Sequence, residues 1–479
     1  MSHHLSDSLR GRARLRAAVI LGGSAALTAA LAAPVMAQHW SVHATGMVTT
    51  AVTSNVGNEP SEMDPEAAVF STIAPAVLFT FESPRTVHVS SLSLGVTRYV
   101  LSDAVPNAFN GSLSHESLFT TSRYTELGLG ATAGLGQVSA TLRQADGGQL
   151  AGTPTGDTDF RTIGLNQSFR WDFARDWRLT QGSLATQVDT SNRNNASRGR
   201  NVTGTLGLAK SWARTSIGLS GSIGLIDLLQ DNLDPFDYEC VGDDPPCADS
   251  LQLVSNLGFD IRRDFGPRWS AGANLGVAAL TTLDSSQAGA EGTVPTPSGS
   301  VTVNYYQPIG TITVDLGFTA SHAIAPNLFL GTITRTGGGV FRGSAPLPWF
   351  RRGNDITVNA SGSIGRTYSW IIDPTAIKEP AWHNDVVDLA AGWSPREAWT
   401  ITGRYQFLTQ NIDEPGEMSV NPAPLDFARH TFLIEVRGQF PTRQAASIPD
   451  RRQLRVDRAN EEATGDEGQQ VGGGKKTQR

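Results

Sequence analysis

The eleven residues from His430 to Phe440, HTFLIEVRGQF, decide the fold. In an extended chain Phe432, Ile434, Val436, Gly438 and Phe440 fall on one side, and Thr431, Leu433, Glu435, Arg437 and Gln439 on the other. Successive side chains of a strand point to opposite faces, so the spacing sets an apolar face against a polar one. Such a strand has lipid or a core on one side and water on the other. Whether it belongs to a membrane barrel or a soluble sandwich depends on the rest of the chain.

The same period recurs upstream. Ile312, Val314, Leu316 and Phe318 alternate with Thr313, Asp315, Gly317 and Thr319. Leu257, Phe259 and Ile261 oppose Asn256, Asp260 and Arg262, and Ile356, Val358, Ala360 and Ile364 oppose Thr357, Asn359, Ser361 and Ser363. An ionised residue on a lipid face costs about 2–4 kcal/mol at mid-depth and less near the edges. Asp260, Asp315, Arg404 and Glu435 all fall on the polar face and are expected to line a lumen. Lys210 falls on the apolar face by parity, but beside a short turn where the penalty is small.

Punctuation gives the topology. Short turns are expected at Ser83-Pro84-Arg85, Ser122-Arg123, Ala174-Arg175-Asp176, Ala213-Arg214, Phe265-Gly266-Pro267, Pro308-Ile309-Gly310, Pro348 to Asn354 and Pro395-Arg396-Glu397. Between them lie longer polar stretches, near 55–69, 102–110, 144–158, 190–200, 228–249, 281–297, 323–338, 371–384 and 411–424. Seventeen connections make 18 strands, or 16 without the weakly patterned segments 111–121 and 338–346. An even count leaves both ends on the side of the short turns, which in bacterial barrels is the periplasm.

Tryptophan separates a barrel from a sandwich. Trp171, Trp177, Trp212, Trp269, Trp349, Trp393 and Trp399 all lie within a few residues of the short turns, whereas Trp370 and Trp382 belong near the long loops. Soluble folds scatter Trp through the core, and membrane barrels gather it in girdles at the two interfaces. The expected fold is therefore all-β: a transmembrane, antiparallel, up-and-down β-barrel. An open sheet would leave unpaired backbone edges in lipid, so the sheet must close. At 16–18 strands it encloses water, and the expected lining of Ser, Thr, Asn and Gly imposes no strong charge.

The two ends of the chain differ from its middle. Arg10, Arg12, Arg14 and Arg16 precede an apolar run from Ala17 to Ala33, and Val35-Met36-Ala37 suits cleavage before Gln38, so 1–37 reads as an export signal. Residues 38–440 are the barrel. Beyond Phe440, residues 441–479 are too poor in apolar side chains to fold alone and read as a disordered periplasmic tail. In an exported chain, Cys240 and Cys247 in CVGDDPPC are expected to form a disulfide within an acidic outer loop.

Chemistry is sparse. Fifty glycines fit a β-rich chain, and a net charge of −7 with no basic face argues against a nucleic-acid partner. There is no nucleophile elbow, phosphate-binding loop or zinc spacing, and no cofactor or metal is expected. Acidic residues at 59–66 and 231–244 read as solvated loop acids rather than calcium ligands. His88, His115 and His430 read as polar wall or loop residues, so the chain is not expected to be an enzyme. A rim-located outer-membrane hydrolase is the distant alternative.

A strand ending on an aromatic residue resembles the closing strand of Gram-negative outer-membrane barrels, although here Phe440 is followed by a tail. More particularly, Pro326 to Gly331 (PNLFLG), Ala345 to Trp349 (APLPW), Gly403 to Gln410 (GRYQFLTQ) and Phe427 to Pro441 (FARHTFLIEVRGQFP) resemble myxobacterial-type outer-membrane barrels of exopolysaccharide export. The resemblance implies an 18-stranded channel in the cell outer membrane that passes a polymer beside a periplasmic polysaccharide-export protein. Outer-membrane lipid and the barrel-assembly machinery would be the other partners. A general diffusion porin for small solutes is the alternative.

Overall fold

The computed structural model describes residues 39–56, 65–100, 107–137, 159–191, 195–232, 248–285, 292–309, 312–327, 332–347, 351–352, 355–356, 358–371, 381–396, 398–414 and 426–440. The expected signal (1–37), the tail (441–479), Cys240, Cys247 and Trp349 lie outside the described residues.

In chain order the strands are β1 (His39–Thr53), β2 (Ala68–Glu82), β3 (Thr86–Tyr99), β4 (Ala108–Ser122), β5 (Thr125–Gln137), β6 (Asp159–Ala174) and β7 (Trp177–Ser191). There follow β8 (Asn195–Ser211), β9 (Thr215–Asn232), β10 (Ala248–Asp264), β11 (Trp269–Ser285), β12 (Gly292–Ile309), β13 (Ile312–Asn327) and β14 (Thr332–Pro346). A separate two-residue pair, β15 (Arg351–Arg352) with β16 (Asp355–Ile356), occupies the next connection. The wall resumes with β17 (Val358–Ile371), β18 (Ala381–Arg396), β19 (Trp399–Glu414) and β20 (Phe427–Phe440).

Eighteen strands form one sheet in which every neighbour is antiparallel. β20 returns to β1, in register from Ala44 opposite Phe440 to Thr53 opposite Thr431, and closes the ring. Closure is what the physics requires, because each backbone N–H and C=O then has a partner within the wall. The weakly patterned segments are full strands, β4 and β14, so the count is 18 and not 16.

Several turns at the Trp-rich end are tight, with two residues between β4 and β5 and between β6 and β7, and three between β8 and β9. In the β10–β11 turn Gly266 has φ of 149°, a conformation a side chain would oppose. The opposite end corrects the sequence reading. The supposed loop 190–200 is mostly strand, since β7 runs to Ser191 and β8 starts at Asn195. Likewise β12 begins at Gly292, β13 reaches Asn327 and β14 starts at Thr332, which consumes most of 281–297 and 323–338. A tilted strand needs only about 9–11 residues to cross a bilayer. These strands are up to 18 residues long and continue past the lipid, where no face has to meet hydrocarbon and the period-2 hydrophobic signal fades.

The outside is apolar over a continuous band. Leu257, Phe259 and Ile261 on β10, Leu275 and Val277 on β11, Leu389 on β18, and Phe432 and Ile434 on β20 are all exposed. Each such side chain moved from water to hydrocarbon gains about 1.5–3 kcal/mol, so a band of them places the barrel in a membrane. Trp171, Trp177, Trp212, Trp269, Trp393 and Trp399 are exposed around the short-turn end. Lys210 joins that rim, with its ammonium 5.2 Å from the Trp177 ring centre and 5.1 Å from that of Trp212. The long stem crosses apolar surface while the charge sits at the interface. Trp382, placed by sequence beside Trp370 near the loops, is buried at only 5% exposure.

Candidate functional site: the lumen wall

Cross-strand partners share a face, so the register assigns every side chain of the wall. Leu389 and Phe432 are exposed to the outside, and Arg404 pairs with Ala390 and Leu433 on the alternate face. Asp315 pairs with Tyr306 and Ser344, and Ser344 with Ser361, in that same inward row. Tyr305 and Tyr306 are consecutive, so only one can point inward. The Trp269 ring lies 4.4 Å from that of Tyr305 and takes it to the outer face, which leaves Tyr306 inside.

These residues enclose a recess of about 750 Å3 on the inner wall, spanning the β10–β11 turn and β12 to β19. Its polar lining includes Asn304, Tyr306, Asp315, Arg342, Ser344, Ser361, Ser363, Asp388 and Arg404. Arg404 donates through Nε to both oxygens of Asp388, at 2.9 and 2.8 Å, and through a second nitrogen to Oδ2. This bidentate pair spans adjacent strands and fixes both side chains flat against the wall. A Cβ on Gly317 would meet Arg342 at 3.1 Å and Asn304 at 3.2 Å, so glycine there gives those two long side chains their room.

The other expected wall residues are dispersed. Asp260, on β10 and outside the recess lining, accepts hydrogen bonds from Asn274 at 2.5 Å and Ser220 at 2.8 Å. Glu435 pairs across the ladder with Thr49 and Thr402. A second charged cluster, absent from the sequence reading, lies at the inner end of β5–β7. Arg170 meets Asp172 at 2.7 Å and Glu126 at 3.7 Å, and Arg178 meets Asp172 at 2.8 Å. The lining is thus richer in charge than the expected hydroxyl wall, and part of that charge is held in ion pairs, Arg404 with Asp388 and Arg170 and Arg178 with Asp172. Parity located Arg404, Asp315 and Asp260, whereas Asp388, Arg342 and Tyr306 needed the register.

Toward the outer end the interior is packed rather than open. Val56, just after β1, is 1% exposed and packs with Ala51, Phe70, Tyr99 and Leu433, and its N–H donates to the Glu66 carbonyl. The first outer connection therefore begins by folding against the inside of the wall. On the other side Ile226 and Leu228 of β9, Leu280 of β11 and Ile333 of β14 form a second apolar cluster.

Histidine and serine do converge at one place. Ser90 bonds His115 Nδ1, Ser117 bonds His115 Nε2, and Ser117 bonds His88 Nδ1, each at 2.8 Å. By register these four side chains are on the outer face, while Glu116 of the same strand points to the other face. No carboxylate joins them among the described residues, and those residues contain no group of three or more metal-ligating side chains.

No family model and no curated protein matches the chain. Solved structures similar to it include the FrpB iron transporter from Neisseria meningitidis, with TM-score 0.44 and 8% identity over 83% of this chain and 82% of that one. Acinetobacter baumannii OccAB3 gives 0.42 and 10% over 84% and 100%. The siderophore receptor PirA from Pseudomonas aeruginosa gives 0.40 and 9% over 83% and 80%. At such identities the substrates of those proteins have no bearing on this chain.

Proposed function

We propose that the chain is an outer-membrane channel that passes a hydroxyl-rich polymer, an exopolysaccharide, out of the cell. The observation that carries this reading is the inner-wall recess, where the half-exposed Tyr306 stands among Asn304, Asp315, Arg342 and serines. An aromatic face beside fixed donors and acceptors suits a sugar ring, which stacks on one surface and hydrogen-bonds at its edge. The Arg404–Asp388 pair suits it as well, because a neutral polymer slides past an ion pair more easily than past a bare charge. On this reading the partners are outer-membrane lipid, the barrel-assembly machinery and a periplasmic polysaccharide-export protein.

The packed apolar clusters toward the outer end support this reading over an open diffusion porin. A polymer exporter must not leak, so the intact protein reconstituted in bilayers is expected to conduct weakly. Conductance should rise when residues 233–247 are deleted or when the proposed Cys240–Cys247 disulfide is reduced. Deleting the gene should abolish a surface polysaccharide and leave small-nutrient uptake unchanged, and a plasmid-borne Tyr306→Ala variant should restore export only partly. High steady conductance with normal polysaccharide on the deletion strain would favour the porin.

A further inference from the structure

One sector of the outer wall does not match the rest. Between β3 and β8 a single row of cross-strand partners runs His88, Ser117, Leu129, Gln167, Ser183 and Gly204, all on the outer face. Strands rise about 3.3 Å per residue and tilt by about 40°, so Ser183, six residues beyond Trp177, stands about 15 Å above the Trp rim. That is close to mid-depth in the hydrocarbon.

Polar groups at that depth have nothing in lipid to bond. Gln167 donates to Gln181 at 2.9 Å, and Ser183 donates to Gln167 at 3.2 Å. Among the described residues no acceptor takes the Gln181 amide N–H groups, which face outward. Beside them the backbone is open to close approach, since a Cβ on Gly204 would meet nothing within 4 Å. The β10–β11 side presents Leu257, Phe259, Leu275 and Val277 at comparable positions. The row is therefore a polar stripe with a glycine at its end, set within an outer face that is otherwise apolar, with Leu113, Leu135, Ile163 and Leu206 exposed around it.

We infer that the β3–β8 sector is a contact surface for a second copy of this chain within the membrane. Small residues that let backbones approach, with amide and hydroxyl side chains as the bonding groups, are what helices use to associate in lipid, and the same physics applies to strands. The occupant is a copy of the chain because an amide both donates and accepts. Gln181 of one copy can bond its counterpart across an isologous contact, so one surface satisfies itself. The six strands are about 24 Å wide at ~4.8 Å spacing, and over an apolar height of about 25 Å they offer roughly 600 Å2 per copy. Two copies offer up to about 1,200 Å2 between them, the lower bound of specific interfaces.

The test uses the full-length protein, extracted in mild detergent and reconstituted in nanodiscs. Mass measurement should give a multiple of the chain mass, and the triple variant Gln167→Leu, Gln181→Leu, Ser183→Leu should give a folded, heat-modifiable monomer. In case that variant does not assemble, single cysteines in whole membranes provide a second arm. Gly204→Cys should cross-link to a dimer under mild oxidation, above the level of the unmodified chain and of Leu275→Cys on the opposite wall. A monomeric wild type, a triple variant that stays oligomeric, equal cross-linking at 204 and 275, or an adduct with a different protein would each overturn the inference.

Discussion

Arg404 illustrates what one residue reveals and conceals. Strand parity put it on the polar face from sequence alone. Its partner Asp388 could not be read, because alternation gives a face but not a neighbour. Neighbours depend on register, and register between β18 and β19 is set by a turn and two bulge-like shifts that no pattern announces. The pair is partly exposed to the lumen, so its contribution to stability is small, about 0.5–1 kcal/mol. Its electrostatic role is larger. Arg404→Ala leaves Asp388 as an uncompensated anion on the wall, and reversal potentials in a salt gradient should shift toward cation preference. Asp388→Asn should shift them the opposite way.

Among the elements, β20 was legible throughout because both its faces lie at membrane depth, with Thr431 and Leu433 buried inside and Phe432 and Ile434 exposed outside. Phe440 closes the ladder opposite Ala44, and the Trp399 ring covers the bare backbone at Gly438 two residues before it. Phe440→Ala should lower the assembled fraction, seen as loss of the heat-modifiable band at equal expression. The outer parts of β12, β13 and β14 were misread as loops for the opposite reason, since beyond the lipid their apolar residues are few and do not alternate. Their packing matters nonetheless. Ile333 is 2% exposed in the cluster with Ile226, Leu228 and Leu280, and truncating a buried Ile costs about 2–5 kcal/mol. Ile333→Ala should loosen the outer end and raise the open-channel noise and mean conductance of the intact protein without changing its assembly.

For the whole molecule, composition, tryptophan placement and turn count sufficed for an 18-stranded barrel, because a membrane imposes closure, parity and girdles together. The chemistry of the lumen was less legible, since wall residues that line one recess, such as Asp315 and Arg342, come from different strands and carry no local motif. The location has a direct check. The protein should fractionate with the outer membrane, resist extraction by carbonate and salt, and run faster on a denaturing gel before boiling than after. Complete extraction without detergent would contradict the apolar band.

The junction of β1 with β20 also bears on time. Thr53 and Thr431 are hydrogen-bonded neighbours separated by 378 positions in the chain, whereas every other seam joins consecutive barrel strands. Closing so long a loop costs only about 3 kcal/mol more than closing a hairpin, because the entropy grows with the logarithm of length. The seam is thus cheap at equilibrium but late in sequence. Until it forms, two unpaired edges are available to any other nascent strand. Unassisted refolding into lipid should be slow, with misassembly that increases with chain concentration, and a helper that shelters those two edges should raise the yield while leaving the final stability unchanged.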